Sequence, residues 1–238
     1  MSDTLEIRTL TTAAEMAPIV TVFQQVWGAV TPLVGVELLC AVRHAGGYVA
    51  AAFDSGTIVG ASFGFLGRHR GATALHSHVT GILPGVQHAG VGRAMKFHQR
   101  DWAAAQGLEW VTWTFDPLVR RNAWFNLEVL HAEVTEYLVD FYGPLHDSVN
   151  AGDESDRLVV AWATGGAVPG ERAEQLDVPP GALEVPTPDD IVVLRRTDPP
   201  AALEWRHRLR QDLGGRIGRG AKVLGFTRAG CYLVEEAA

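Results

Sequence analysis

The residues from Thr73 to Gln106 constrain the fold more than any other part of the chain. "TALHSHVTGIL" is rich in β-branched and apolar residues and reads as a strand, with Gly81 near its end as a candidate bulge. "PGVQHAGVGRAM" follows from Pro84 to Met95 and crowds Ala89, Gly90 and Gly92 into a short loop. A helix is expected from about Val91 to Gln106, closed by Gly107. Val91, Ala94, Met95, His98, Trp102 and Ala105 share one face of it, and Arg93, Lys96 and Arg100 share another, which reads as solvated. The first N–H groups of such a helix have no partner within it and favour an anion. Glycine beside them removes the side chains that would hold a pyrophosphate away.

The flanking segments extend this unit into a mixed sheet. "LEIRTL" reads as a strand, and Ala13 to Trp27 carries Met16, Ile19, Val20, Phe23 and Trp27 at helical spacing. A second helix is expected over Val34–Arg43, then two strands in "YVAAAFDSGTIVGASFGFL" joined by a tight turn at Asp54. Beyond the glycine-loop helix, "WVTWTF" is a strand, "VRRNAWFNLEVL" a short helix, and "AEVTEYLV" and "RLVVAWA" are strands. Strands followed by single crossover helices imply an α/β (α+β) fold with a mixed, mostly antiparallel sheet flanked by helices. Residues 164–190 are rich in Gly, Pro and acids and read as a linker or long loop after a domain spanning 1–163. Residues 191–238 read as a small appendage: "IVVLRR" as a strand, Pro199–Leu213 as a helix and "AKVLGFTRAGCYLVEE" as a hairpin.

Composition excludes some partners. A net charge of −7 argues against a nucleic-acid surface. No apolar run is long enough for a membrane span, and the N-terminus lacks the pattern of a signal peptide, so the expected location is cytoplasmic. Cys40 and Cys231 match no metal-ligand spacing and read as small core hydrophobes.

Three readings of the glycine loop are available. A Walker loop requires Gly-Lys-Ser/Thr, and this one ends Gly92-Arg93-Ala94. A dinucleotide fingerprint requires a third glycine where Met95 stands. The pattern Gln/Arg-x-x-Gly-x-Gly/Ala is met by Gln87, Gly90 and Gly92. With the order hairpin, strand, loop, amphipathic helix, strand and Asn-containing helix, "ILPGVQHAGVGRAM", "WVTWTFDP" and "RRNAWFNLEVLHAEV" resemble the GNAT superfamily of acyl-CoA-dependent N-acyltransferases. The resemblance covers roughly Leu5 to Ala163, and the arrangement around "DPLVRRNAWFNLEVL" is similar to an uncharacterised bacterial branch.

That resemblance implies acetyl-CoA or another acyl-CoA as co-substrate and a small-molecule amine as acceptor, and family members often dimerise; no metal is expected, because one at His76 and His78 would need a third ligand that the sequence does not identify. It places the pyrophosphate of coenzyme A on the backbone of Gln87, His88, Ala89, Gly90, Val91, Gly92 and Arg93, and the pantetheine arm along Ile82 and Leu83. Asn122 or Asn126 would lie near the arm or the thiol. Aligned with the family's aromatic-Tyr-x-x-x-Gly-aromatic stretch, this chain has Leu127 at the position of the usual acid and His131 where Gly is common. That departure leaves open a non-catalytic acyl-CoA-binding relative, and a protein-lysine acyltransferase is a further alternative.

Candidate catalytic groups follow from chemistry. His76 and His78 alternate onto one strand face, and an imidazole near pKa 6.5 suits proton abstraction. Asp116 ends the next strand, either at a cleft or as a turn residue before Pro117. Tyr137 and Tyr142 are candidate substitutes for the missing acid. Arg93, Lys96 and Arg100 are candidates for the extra phosphate of coenzyme A. Trp110, Trp113 and Trp124 read as core, and Arg206 and Arg210, one turn apart, as exposed helix charge or an anion site, with Arg208 off their line.

Overall fold

The computed structural model describes residues 5–86, 90–143, 153–166 and 178–237. By internal contacts the chain divides into two units, one of residues 1–113 with 163–165 and one of residues 114–162 with 166–238. Its boundaries fall after Trp113, after Trp162 and after Gly165.

The first unit contains β1 (Leu5–Thr9), α1 (Ala13–Trp27), α2 (Val36–His44), β2 (Tyr48–Asp54), β3 (Thr57–His69), β4 (Ala72–Ile82) and α3 (Val91–Ala105), and most of β5 (Trp110–Phe115). Thr12 and Glu15 form a capping box that starts α1, and Gly28 ends it in the left-handed region at φ 60°. β1 to β4 pair antiparallel in sequence order, and β4 then pairs with β5 in parallel. Met16, Ile19 and Phe23 of α1 and Leu39 of α2 pack on one sheet face against Val49, Ala51, Ala61 and Phe63. Val91 and Met95 of α3 pack with Ala52 and Val59 in a second apolar cluster.

Two details of β4 differ from expectation. The bulge lies at His78, because Phe63 pairs with Val79 while Gly64 pairs with Ser77. Gly81 serves close packing instead: a Cβ there would sit 2.8 Å from the Trp27 ring.

In the second unit α4 (Arg120–Trp124) continues into a π-helical turn, Phe125–Val129, and β6 (Glu133–Leu138) pairs antiparallel with β7 (Arg157–Ala163). In strand order the larger sheet reads β1-β2-β3-β4-β5-β7-β6. β8 (Leu183–Pro186), β9 (Lys222–Phe226) and β10 (Cys231–Glu235) form a separate antiparallel sheet with β10 central. α5 (Ile191–Thr197), α6 (Pro199–Leu209), a π-helical turn at Arg210–Gly214 and α7 (Gly215–Gly218) precede β9.

"IVVLRR" is helical, not a strand. Asp190 accepts from the N–H groups of Val192 and Val193 at 2.9 and 3.0 Å, and this cap outweighs the three β-branched residues it precedes. β8 lies within the stretch expected to be a loop, where pairing with distant β10 makes a strand that local pattern does not announce. Among the described residues no helix is long and apolar enough to cross a membrane.

Candidate active site

β4 and β5 pair only over Ala74–His76 and Trp110–Thr112 among the described residues. β4 runs on to Ile82, so Ser77 and Trp113 are the first residues of the two strands past the pairing. This is the notch of the first unit. His76 Nδ1 lies 3.2 Å from Thr112 Oγ1 at its edge. The rings of His76 and His78 are 6.3 Å apart, each beside Phe65, so the expected shared face forms even with the bulge.

Both imidazoles are neutral at neutral pH. Burial, the neighbouring His78 and the Lys96 charge push His76 down to about 4. Burial lowers His78 as well. His76 is therefore a weak proton acceptor, and His78, at the bulge and more exposed, is the better placed of the two.

α3 corrects the expected amphipathic reading. Lys96 and Arg100 are buried, and the buried face is Val91, Met95, Gln99 and Ala103 with these two beside it. Arg100 donates to the carbonyls of Ala163 and Gly165 at 2.9 and 3.1 Å, which occupies the head group expected to meet a phosphate. Lys96 Nζ donates to Ser77 Oγ at 2.9 Å and Gln99 Oε1 at 3.3 Å, and lies 4.0 Å from the centroid of the Trp113 ring. Burial lowers its pKa to about 7. Gln99 in turn donates to Ser62 Oγ, which lies 2.8 Å from Thr80 Oγ1. A polar track thus runs between α3 and the strands β3 and β4. The i, i+4 series Val91, Met95, Gln99, Ala103 carried the signal for this face, but polar Gln99 hid it. Arg93 alone of the three cations is exposed, stacked 4.4 Å from Phe97.

The loop is partly on view. Gln87, His88 and Ala89 lie outside the described residues. Gly90 caps α3 in the left-handed region at φ 78° with no side-chain capping bond. Among the described residues a Cβ at Gly90 would meet nothing within 4 Å, so the glycine is there for its backbone angle. Gly92 lies over Ile82, and the Leu83 N–H donates to Val59 O at 2.9 Å.

Three other expectations change in the second unit. Asp116 is buried among arginines: Arg206 donates to both its oxygens at 2.8 and 3.0 Å, Arg195 donates to Oδ2, and Arg157 lies 3.7 Å away. Burial raises its pKa, but Arg206, Arg195 and Arg157 outweigh that and hold it well below the usual carboxylate range. It is a structural anion, not a base, and its Oδ1 also accepts the Leu118 N–H as the turn reading expected. Tyr137 donates to Asp156 Oδ2 at 2.7 Å, and burial and that carboxylate push its pKa up, so its proton is committed. Arg206 is fully buried and Arg210 ties Glu154 and Asp156, so this pair is neither exposed charge nor an open anion site. Tyr142 lies 3.1 Å from Thr114 Oγ1. Trp113 is buried under Lys96, Trp110 is approached by Arg70 and His69, and Trp124 by Arg228. Asn122 is half-buried in α4 and Asn126 is buried in the π-helical turn.

No family model and no curated protein matches the chain. Solved structures do match its fold. Naa50 of Arabidopsis thaliana, solved with a CoA-containing bisubstrate analogue, aligns at TM-score 0.53 and 15% identity over 66% of this chain and 97% of its own. The ribosomal-protein-S18-alanine N-acetyltransferase of Escherichia coli aligns at 0.54 and 15%, over 71% and 99%. A phosphinothricin acetyltransferase of Sinorhizobium meliloti, solved with AcCoA, aligns at 0.54 and 16%, over 71% and 95%. The fold is that of the GNAT superfamily.

His131 sits at φ 52°, a left-handed angle that glycine adopts without strain. Leu127, four residues earlier, is buried in the π-helical turn and offers no hydroxyl.

Proposed function

We propose that this chain is an N-acyltransferase that moves an acetyl or other acyl group from coenzyme A to an amine of a small molecule. The observation that carries the reading is the parting of β4 from β5 just past His76, in a unit whose α3 begins at a left-handed glycine. The first N–H groups of α3 suit the pyrophosphate, with Gly90, Val91, Gly92 and Arg93 as the residues that would hold it. Ile82 and Leu83 then border the pantetheine arm. A backbone N–H of β4 near Ile82 polarises the thioester carbonyl.

The acceptor must be neutral to attack, and His78, neutral at pH 7, takes its proton. The C–N bond forms as the C–S bond breaks, and the electron pair leaves on sulfur. A thiol of pKa about 8.5 makes that departure easy relative to an alkoxide.

Calorimetric titration with acetyl-CoA, with dephospho-CoA and NAD as controls, tests the reading. Selective binding of acetyl-CoA is expected, and binding of NAD alone, or of none, overturns it. Buried Leu127 favours one second reading, an acyl-CoA-binding domain without turnover. Thiol release across a panel of amines separates the two. A mass-spectrometric acylation screen on cell extract tests protein lysine as the acceptor.

A further inference from the structure

Lys96 is a buried cation without a buried anion. Among the described residues its polar partners are Ser77 Oγ and Gln99 Oε1, both neutral, and the face of Trp113. Its side chain reaches the first residue of β4 and the first of β5 beyond their pairing. The ammonium therefore stands in the notch itself, on the side of the strands covered by α3. A lysine that only filled space there would be better replaced by a hydrocarbon, because an uncompensated buried ammonium is costly. Three contacts instead fix one atom at one place.

We propose that Lys96 is the acid that protonates the sulfur of coenzyme A as the thiolate leaves, the role for which Leu127 has no hydroxyl. The inference rests on the acyl-CoA reading above. In the step, the amine nitrogen bonds to the carbonyl carbon and the C–S bond breaks with its electron pair going to sulfur. The Lys96 ammonium then gives one proton to that sulfur, leaving a thiol and a neutral amine. The acceptor nitrogen loses one proton to His78, and exchange with water restores both side chains.

The surroundings suit a proton donor more than a fixed charge. The groups facing the ammonium are His76 and Ser77 from β4, Trp113 from β5 and Gln99 from α3, with none of them anionic. His76 is neutral near pH 7, and Arg100, one turn on, is engaged with two carbonyls. A lysine lowered to about 7 passes its proton to a thiolate downhill, whereas one at about 10.4 does not.

The test uses coenzyme A and its desulfo analogue, so it needs no acceptor. Calorimetry on the full chain between pH 6 and 9 is expected to show coenzyme A bound up to about tenfold more tightly than desulfo-coenzyme A near pH 8, where the neutral Lys96 amine accepts from the thiol, with the preference fading toward pH 6 as Lys96 takes up its proton and with no far-ultraviolet thiolate absorbance in the complex. Lys96→Met is expected to abolish that preference and its pH dependence while binding desulfo-coenzyme A as the natural chain does. Equal affinity for the two ligands in the natural chain, or a preference that survives Lys96→Met, overturns the Lys96 assignment and leaves the coenzyme A site standing. Failure to bind either ligand removes the acyl-CoA reading and this one with it. In turnover with hydroxylamine, Lys96→Arg should stay as slow as Lys96→Met; rescue by arginine would show that a fixed charge suffices and overturn the proton transfer.

Discussion

The molecule buries cations in two ways. In the second unit, Arg157, Arg195, Arg206 and Arg210 meet Asp116, Asp153, Glu154 and Asp156 in a network that runs from fully buried Arg206 to half-exposed Glu154. In the first unit, Lys96 is buried too and, among the described residues, meets only neutral groups. Balanced charges joined by bidentate arginines fix geometry, because each partner satisfies the other's lost hydration. A lone ammonium gains no such return, and its pKa falls instead. Burial alone therefore does not single out a chemical group; burial without a countercharge does.

The largest way to break this contrast is Asp116→Asn. It leaves Arg195 and Arg206 without their shared carboxylate, and a loss of about 3–5 kcal/mol is expected in denaturant unfolding. A loss below about 1 kcal/mol would mean the network is incidental.

Lys96→Met has the opposite sign, a gain of about 1–2 kcal/mol near pH 6, where the natural chain must bury a proton. The window follows from the shift. With the folded pKa at about 7 and the unfolded value at 10.5, the unfolded chain binds the extra proton between those two values. Stability of the natural chain therefore rises with pH across that range, and the advantage of methionine shrinks toward pH 10.5. Asp116 acts in a separate window: its lowered pKa stabilises the fold above the ordinary value of 3.8, and that contribution drains away as pH falls further. Unfolding measured at several pH values for both variants separates the two slopes.

The smallest effect is expected at the rim of the network. Glu154→Gln removes a half-exposed partner of Arg210, which keeps both oxygens of Asp156, and should cost under about 1 kcal/mol. A larger loss would extend the buried network out to that edge.

The strands of the larger sheet, the glycine that starts α3 and that helix were legible because each is written in local periodicity or in a residue with unusual backbone freedom. Left-handed Gly90 at the start of α3 is such a case, and so are the paired faces of His76 and His78. α5 was misread because one capping aspartate outweighs three β-branched or apolar residues. β8 was missed because its hydrogen bonds go to β10, far along the chain.

By itself, then, the sequence determined the order of elements through β7, the mixed sheet and the glycine that starts α3. Tertiary structure decided which charged residues are inside. Periodicity places Lys96, Arg100 and Arg206 on helix faces, but a polar head group enters a core only where distant residues satisfy it. Ser77 and Trp113 do so for Lys96, the carbonyls of Ala163 and Gly165 for Arg100, and Asp116 for Arg206. Those partners are brought together by the sheet and by the turn at Asp116, and no local pattern of the helices themselves encodes them.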